Sequence, residues 1–107
     1  MKAITTPELR ERIQENPDLL ILDVRSEDDY AKSHIPGAIN VPFNDADFAN
    51  VVESTAVDKQ RPLVVYCPSA DCNLSEQAAR KLDEQGFRNV LDLEGGLADW
   101  RRHGLQT

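Results

Sequence analysis

Two cysteines, Cys67 and Cys72, are the residues of this chain whose type and spacing could support chemistry. A thiolate is a nucleophile, and two thiols that lie close together can take part in disulfide exchange. Cys72 lies five positions after Cys67, a spacing that permits the Cα separation below about 7 Å that a disulfide needs, without guaranteeing it. The spacing is therefore compatible with a nucleophile at Cys67 and a second thiol at Cys72.

The residues around Cys67 have the pattern of a buried strand at 62–67, a polar loop, and a helix at 74–85. Asn73 and Glu76 have the spacing of a capping box at the start of that helix. A helix N-terminus has unpaired backbone N–H groups and partial positive charge, so it stabilises a thiolate and can lower the pKa of a cysteine. The loop whose N–H groups would hold the sulfur anion comprises Pro68, Ser69, Ala70, Asp71, Cys72 and Asn73.

Cys67 has a second interpretation, as a small buried hydrophobe that closes a strand. The local pattern alone does not separate a reactive cysteine from an inert one. Two thiols without a nearby His or Cys pair cannot complete a four-ligand zinc site, so we predict no metal. We expect no other cofactor.

Short apolar runs alternate with amphipathic stretches, which is typical of an α/β fold with helices on both faces of a mostly parallel sheet. Such sheets bind ligands at the carboxyl ends of their strands, which is where Cys67 would lie. The sequence predicts strands at 19–24, 38–41, 62–67 and 90–93. It predicts helices at 6–13, 26–31, 44–52, 74–85 and 97–102.

Individual residues mark the ends of these helices. Thr6 is predicted to be the N-cap of the first helix, with Pro7 at its first position. Ser26 is predicted to cap the second helix. Gly86 is predicted to end the fourth, because glycine readily adopts the left-handed conformation that terminates helices.

The chain has 107 residues, enough for one domain, and we expect residues 1–107 to form a single unit. The formal net charge of −7 argues against a nucleic-acid partner, because affinity for a phosphate backbone comes from Lys and Arg. No run approaches the roughly 18 apolar residues that span a bilayer, and the first residues lack the apolar segment of a signal peptide. We therefore expect a cytoplasmic protein that does not bind membranes. We also expect it to be a monomer.

Several ordered motifs resemble those of the rhodanese family, and they cover the chain from about Leu20 to Trp100. They are LDVR at 22–25, Tyr30, HIPGAINVP at 34–42, VVYC at 64–67, Ser75, AARKL at 78–82, LEGGL at 93–97 and Trp100. The resemblance implies an α/β fold with a central parallel sheet. It also implies a cysteine, here Cys67, that accepts sulfane sulfur and passes it to a thiophilic acceptor. The donor would be a persulfide, a polysulfide or thiosulfate, and the acceptor a thiol of a small molecule or a protein.

Other motif residues are expected to support the fold instead of touching a substrate. Asp23 and Arg25 follow a core strand, and we expect them to fix loops through ion pairing and hydrogen bonds. His34 could be a general base, but its place in a Pro-Gly turn favours a structural hydrogen bond. Trp100 is expected to pack in the core.

The loop after Cys67 departs from the family pattern. Eight positions separate Cys67 from Ser75, which is longer than in common single-domain members, and no Lys or Arg lies between them. Related phosphatases and arsenate reductases have an arginine at the position of Asn73, so we do not expect chemistry on phosphoryl or arsenoryl oxygens. The same absence disfavours thiosulfate, a dianion, and we expect a persulfide or polysulfide donor.

Three functions remain open from the sequence. The leading one is a sulfurtransferase that carries a persulfide on Cys67. In such an enzyme Cys72 could resolve the persulfide by thiol exchange, protect Cys67 from overoxidation, or do neither. The alternatives are a non-catalytic rhodanese-like module that binds a partner protein, and a dithiol redox protein that uses the same two cysteines.

Overall fold

The computed structural model describes residues 1–43 and 46–107, and within them it contains one parallel sheet. The strands lie side by side in the order β1-β5-β4-β2-β3, and every neighbouring pair is parallel. This arrangement confirms the predicted α/β fold. The strands are β1 (Lys2–Ile4), β2 (Leu20–Asp23), β3 (Ile39–Asn40), β4 (Leu63–Tyr66) and β5 (Val90–Leu93).

Helices cover both faces of the sheet, as predicted. Those in the described residues are α1 (Thr6–Glu15), α2 (Glu27–Lys32), α3 (Phe48–Ala56), α4 (Leu74–Glu84) and α5 (Gly96–Arg102). One core cluster joins α3 and α4 to one face, and a second joins α1 and α5 to the other. Val65 lies in the first cluster and Val64 in the second, because successive side chains of a strand point to opposite faces.

The central strand β4 is buried along its whole length. Its apolar side chains have no exposed surface, and each contributes about 1.5–3 kcal/mol by leaving water. A strand covered on both faces needs such a continuous apolar run, which is why the sequence indicated it. The chain leaves the carboxyl end of β4 at Cys67, so this anchored strand positions the candidate nucleophile.

The N-cap of the first helix lies one residue earlier than predicted, and the helix continues to Glu15. Thr5, not Thr6, is its N-cap: the Thr5 hydroxyl accepts a hydrogen bond from the backbone N–H of Glu8, and the Glu8 carboxylate accepts one from the backbone N–H of Thr5. Pro7 is therefore the second helical residue. Thr6 is buried and donates its hydroxyl proton to Asp99 of α5 at 2.6 Å. The hydroxyl that was expected to cap α1 instead links α1 to α5.

The remaining caps give a mixed result. Ser26 caps α2 and accepts from the N–H of Asp29, and Gly86 follows α4 with φ of +94°, so both predictions are confirmed. Asn73 precedes α4, but its side chain makes no capping bond, and its amide oxygen accepts from the amide group of Gln77 at 2.9 Å. The capping box predicted for Asn73 is therefore wrong.

Other elements also differ from the predictions, and β2, β3 and β4 are each one residue shorter at both ends than predicted. The helix predicted at 44–52 begins at Phe48 and continues to Ala56, and residues 44 and 45 lie outside the described residues. The last helix begins at Gly96, one residue earlier than expected. Strand β1 was not predicted, because it has only three residues and two of them are exposed. No helix in the described part of the chain has the length and apolarity needed to cross a membrane.

Candidate active site

Cys67 directly follows β4 at the carboxyl edge of the sheet, and its side chain is 1% exposed. The start of α5 fixes its main chain from the side. The N–H of Leu97 donates to the carbonyl of Cys67, and the N–H of Ala98 donates to the carbonyl of Pro68, both at 2.9 Å. The free N–H groups at the N-terminus of α5 therefore hold the start of the loop.

Gly96 allows α5 to approach the loop this closely. Its φ is +61°, and a Cβ at this position would lie 2.4 Å from the carbonyl oxygen of Cys67 and 2.7 Å from the nitrogen of Ser69. Any side chain would push the helix away from the loop. From the sequence, a tight turn explains both glycines of the LEGGL motif. In the structure, Gly96 also permits the close contact between α5 and the loop.

The sulfur of Cys67 is surrounded by oxygen atoms. Its thiol lies 3.3 Å from the hydroxyl oxygen of Ser75, 3.3 Å from the carbonyl oxygen of Cys72 and 3.9 Å from that of Ser69. Ser75 is the second residue of α4 and is 3% exposed. It was not among the predicted site residues, although it belongs to one of the motifs that resemble the rhodanese family.

Burial raises the pKa of the Cys67 thiol, and the neighbouring side chain of Cys72 raises it further. The hydroxyl and the backbone N–H of Ser75 act in the opposite direction, but they do not outweigh burial. The sequence predicted a lowered pKa from the helix N-terminus, and the net direction in the structure is the reverse. The folded environment of Cys67 therefore favours the protonated thiol over the thiolate.

The loop from Pro68 to Asn73 is mostly exposed, with Ser69 and Cys72 half-buried. A turn closes where the N–H of Cys72 donates to the carbonyl of Ser69 at 3.2 Å. Both cysteines are free thiols, and the sulfur of Cys72 accepts a hydrogen bond from the N–H of Leu74 at 3.5 Å. The loop thus holds the second thiol beside the first without a disulfide.

Asp23 and Arg25 form a buried ion pair that contacts Tyr66, and Tyr66 lies in the core cluster on the face opposite to Cys67. Arg25 donates to Asp23 at 2.7 Å and also to the carbonyl of Ser33 at 2.6 Å. The hydroxyl of Tyr66 donates to Asp23 at 2.8 Å. These bonds tie β2, β4 and the segment after α2 together, and the supporting role of the pair remains a prediction.

His34 contacts Tyr30. Its Nδ1 lies 2.8 Å from the carbonyl oxygen of Tyr30, and the two rings stack with their centroids 3.8 Å apart. The predicted structural role of His34 still awaits a test. Trp100 is 6% exposed and packs in the core cluster that contains α1 and α5.

A cleft of about 580 Å³ opens beside the loop at Ala70. Its two basic residues, Arg102 and His103, each contact Asp99. Within residues 1–43 and 46–107, no three His, Cys, Asp or Glu side chains converge as metal ligands would. The cleft is lined by Thr5, Pro7, Ala70, Glu94, Gly95, Asp99, Arg102 and His103.

A parallel sheet with a buried cysteine at the end of its central strand, below a loop that leads into a helix, defines a class of α/β proteins with a thiol at the sheet edge. The profile of the rhodanese-like domain matches residues 5–103, and the chain belongs to that family. This result confirms the resemblance found in the sequence.

Relatives of the chain include named sulfurtransferases. A sulfurtransferase of Allochromatium vinosum is 33% identical over 98% of this chain and 92% of its own length. A thiosulfate sulfurtransferase of Coxiella burnetii is 37% identical over 80% of this chain and 75% of its own length. The solved rhodanese-like domain of an Anabaena protein has a TM-score of 0.81 at 32% identity, covering 95% of this chain and 74% of that one. These similarities support a sulfurtransferase role at the level of the family.

Proposed function

We propose that the protein is a sulfurtransferase in which Cys67 carries the transferred sulfur as a persulfide. The observation that carries this proposal is the position of Cys67, buried at the end of β4 with the Ser75 hydroxyl 3.3 Å from its sulfur. A nucleophile that is enclosed and hydrogen-bonded can hold a reactive sulfur away from water. The sulfurtransferases among the relatives support the same conclusion.

The reaction has two steps that balance in atoms and charge. The Cys67 thiolate attacks the outer sulfur of a donor persulfide, the S–S bond of the donor breaks, and the donor leaves as a thiolate. The thiolate of an acceptor then attacks the outer sulfur on Cys67, takes it as a new persulfide and restores the Cys67 thiolate. Because burial raises the pKa of Cys67, the first step requires removal of the thiol proton.

The persulfide would be held by donors at the start of α4. The hydroxyl and the backbone N–H of Ser75 both lower the pKa of Cys67, so they already favour an anion at this sulfur. The carbonyl oxygens of Cys72 and Ser69 face the resting thiol and suit a protonated sulfur. Backbone N–H groups at 69–73 can replace these carbonyl oxygens beside the sulfur only if peptide groups of the loop rotate when the persulfide forms. Pro68 cannot contribute, because proline has no backbone N–H.

We infer that the donor is a persulfide or a polysulfide instead of thiosulfate. The segment between Cys67 and Ser75 contains Asp71 and no cation, so a dianion would gain little stabilisation there. The relative from Coxiella burnetii is a thiosulfate sulfurtransferase, which makes thiosulfate the competitor to test. We expect kcat/KM for cysteine persulfide to exceed that for thiosulfate by at least about tenfold. Efficient turnover of thiosulfate at low concentration would contradict the assignment.

Cys72 favours a second candidate reaction at the same site. Its side chain raises the pKa of Cys67, and its carbonyl oxygen lies 3.3 Å from the Cys67 sulfur, which supports a reaction between the two residues. The Cys72 thiolate could attack the inner sulfur of the Cys67 persulfide, release hydrosulfide and leave a Cys67–Cys72 disulfide for a thiol reductant. Cys72 would then act as a resolving thiol.

Intact-mass analysis before and after treatment with a sulfane donor tests both reactions. Sulfur transfer predicts a gain of one sulfur that is lost in Cys67→Ser. Resolution by Cys72 predicts a loss of two hydrogens in the unmodified chain and accumulation of the persulfide in Cys72→Ser. A dithiol redox protein would lose two hydrogens with a simple oxidant and never retain sulfur. No mass change with any donor would favour a non-catalytic binding module.

A further inference from the structure

A cavity of about 530 Å³ lies at the amino edge of the sheet, the edge at which its parallel strands begin. Lys2 of β1, Pro62 before β4 and Asn89 before β5 are among the residues that line it. Cys67 follows the other end of β4, and the chain from Pro62 to Cys67 spans about 16 Å at about 3.3 Å per residue. The cavity is therefore separate from the site around the candidate nucleophile.

Three positive side chains from three parts of the fold line this cavity. Lys2 belongs to β1, Arg12 to the last turn of α1, and Arg88 to the segment before β5. Among the described residues no Asp or Glu lines the cavity, although the chain contains 19 of them and only 12 Lys and Arg. A concentration of positive charge on a chain with a net charge of −7 indicates a site for an anion.

The three cations have no ion pair with a carboxylate in the part of the chain that the structure describes. The charges of Lys2 and Arg12 lower the pKa of Glu8. The Glu8 carboxylate, however, accepts hydrogen bonds from Thr5 and does not line the cavity. Arg12 also offsets the partial negative charge at the end of α1, but this role does not account for Lys2 or Arg88. The positive charge of the cavity is therefore available to a ligand.

Asn16 adds an uncharged donor to these cations. Its amide oxygen accepts from the backbone N–H of Asp18 at 3.1 Å, which leaves its NH₂ group facing other partners. The amino group of Met1 also lies at the cavity, and it pairs with Asp83, which is not a lining residue. Ammonium, guanidinium and amide N–H groups together match the oxygen atoms of phosphate groups.

The size and the apolar lining of the cavity suit an organic ligand. Pro62, Val90 and Leu91 contribute apolar atoms to its lining. Its volume of about 530 Å³ falls within the range of about 300–1,000 Å³ that is typical of small-molecule sites. A single inorganic anion would fill only part of this space.

We propose that the cavity binds a small molecule that carries at least two linked phosphate groups, of which a nucleoside diphosphate is representative. A phosphate monoester has a charge of roughly −1.5 to −2 near pH 7, so two linked groups carry about −3. This charge balances those of Lys2, Arg12 and Arg88. The proposal does not depend on the sulfurtransferase role, because the ligand lies at the opposite edge of the sheet from Cys67.

Isothermal titration calorimetry with ADP, inorganic pyrophosphate and adenosine tests the ligand class. At an ionic strength of about 0.05 M we expect ADP to bind with a Kd below about 0.1 mM, and adenosine not to bind at about 1 mM. Pyrophosphate should bind more weakly than ADP if the apolar lining contributes. Equal affinity for pyrophosphate would still support the site and would assign the affinity to the phosphates alone. Failure of both ADP and pyrophosphate to bind at about 1 mM would overturn the proposal.

Charge-removing variants test the location of the ligand. Arg12→Gln and Arg88→Gln should each weaken ADP binding at least about tenfold, because each loses a charge-assisted hydrogen bond. Both side chains are exposed, so the urea midpoints should not change. Arg102→Gln is the matched control, since it removes the same charge from the cleft beside the Cys67 loop, and its affinity should stay within about twofold. Loss of binding in Arg102→Gln alone would place the anion in that cleft and overturn the proposal.

Backbone amide chemical shifts of the isotopically labelled protein locate the ligand without any variant. ADP should shift the amide signals of Lys2, Asn16 and Asn89 and leave those of residues 69–73 unchanged. Shifts confined to residues 69–73 would contradict the assignment. Tighter binding of hexaglutamate than of ADP would also contradict it, because the site would then recognise an acidic peptide.

Discussion

The environment of Cys67 protects its thiol from oxidation when no sulfur donor is bound. Its side chain is 1% exposed and its pKa is raised by burial, so little thiolate is available to passing oxidants at neutral pH. The three oxygen atoms around the sulfur can each accept its single proton. The proposed function therefore requires that this proton leave Cys67 when a donor arrives.

Gly96 provides a test of the contact between α5 and this cysteine. We expect Gly96→Ala to reduce sulfur transfer by at least about tenfold, because its Cβ would lie 2.4 Å from the carbonyl oxygen of Cys67. The same variant should lower the free energy of unfolding by roughly 2–3 kcal/mol through the clash and the positive φ. Transfer rates and urea denaturation measure the two effects.

Gly104→Ala is the matched control for Gly96→Ala. Gly104 also has a positive φ, of +74°, but a Cβ there meets no atom within 4 Å. It should lose about 1 kcal/mol from backbone strain and keep its transfer rate. Equal loss of activity in both variants would show that α5 does not position the loop through Gly96.

At the scale of helices, the corrected N-cap of α1 predicts a difference between two similar substitutions. Thr5→Ala removes a side chain that caps α1 and should destabilise the protein by about 1 kcal/mol. Asn73→Ala alters a residue at the same position before α4 that makes no capping bond, and should cost less than about 0.5 kcal/mol. Thermal or urea unfolding measures both, and the reverse order would contradict the assignment of these caps.

Elements with strong periodicity or complete burial could be predicted from the sequence. Strand β4 was predicted because a strand that is buried on both faces has a continuous apolar run. The body of α4 was predicted because a helix that is buried on one face has apolar residues at helical spacing. Strand β1 leaves no such pattern, since it is short and its stability comes from pairing with β5 at the sheet edge. Thr5 and Thr6 have the same side chain. Only the contact of Thr6 with Asp99, which the sequence does not reveal, leaves Thr5 as the residue that caps α1.

The candidate site could be predicted only in part, because some of its contacts join residues that are not adjacent in sequence. Cys67 and its loop are adjacent in sequence, so the pattern of strand, loop and helix identified them. Ser75 lies eight positions after Cys67, and its contact with the sulfur depends on how the intervening loop folds. The direction of the Cys67 pKa was missed because the depth of burial is a property of the folded chain.

At the scale of the whole molecule, charge controls the approach of donors. The net charge of −7 is spread over a body with extents of 34 × 30 × 21 Å. At an ionic strength of about 0.01 M the screening length is about 30 Å, so an approaching anion is repelled by nearly all of this charge. At about 0.15 M the length is about 8 Å, and only groups near the point of approach act on it.

We therefore expect salt to accelerate the reaction of Cys67 with anionic donors. Raising the ionic strength from about 0.01 M to about 0.15 M should increase the second-order rate with inorganic polysulfide about threefold, because repulsion is screened. A neutral organic trisulfide should react at an almost unchanged rate and is the control. Stopped-flow measurement of the consumption of the Cys67 thiol, which both reagents cause, provides the comparison at each salt concentration.

A rate that falls with salt would show that the charge near the cleft, instead of the net charge, controls association. Arg102 and His103 are the basic groups there, and Asp99 lies between them while Glu94 lines the same cleft. Arg102→Gln separates the two cases. If net charge dominates, this variant leaves the salt dependence nearly unchanged, whereas local attraction by Arg102 requires the dependence to weaken or reverse when its charge is removed.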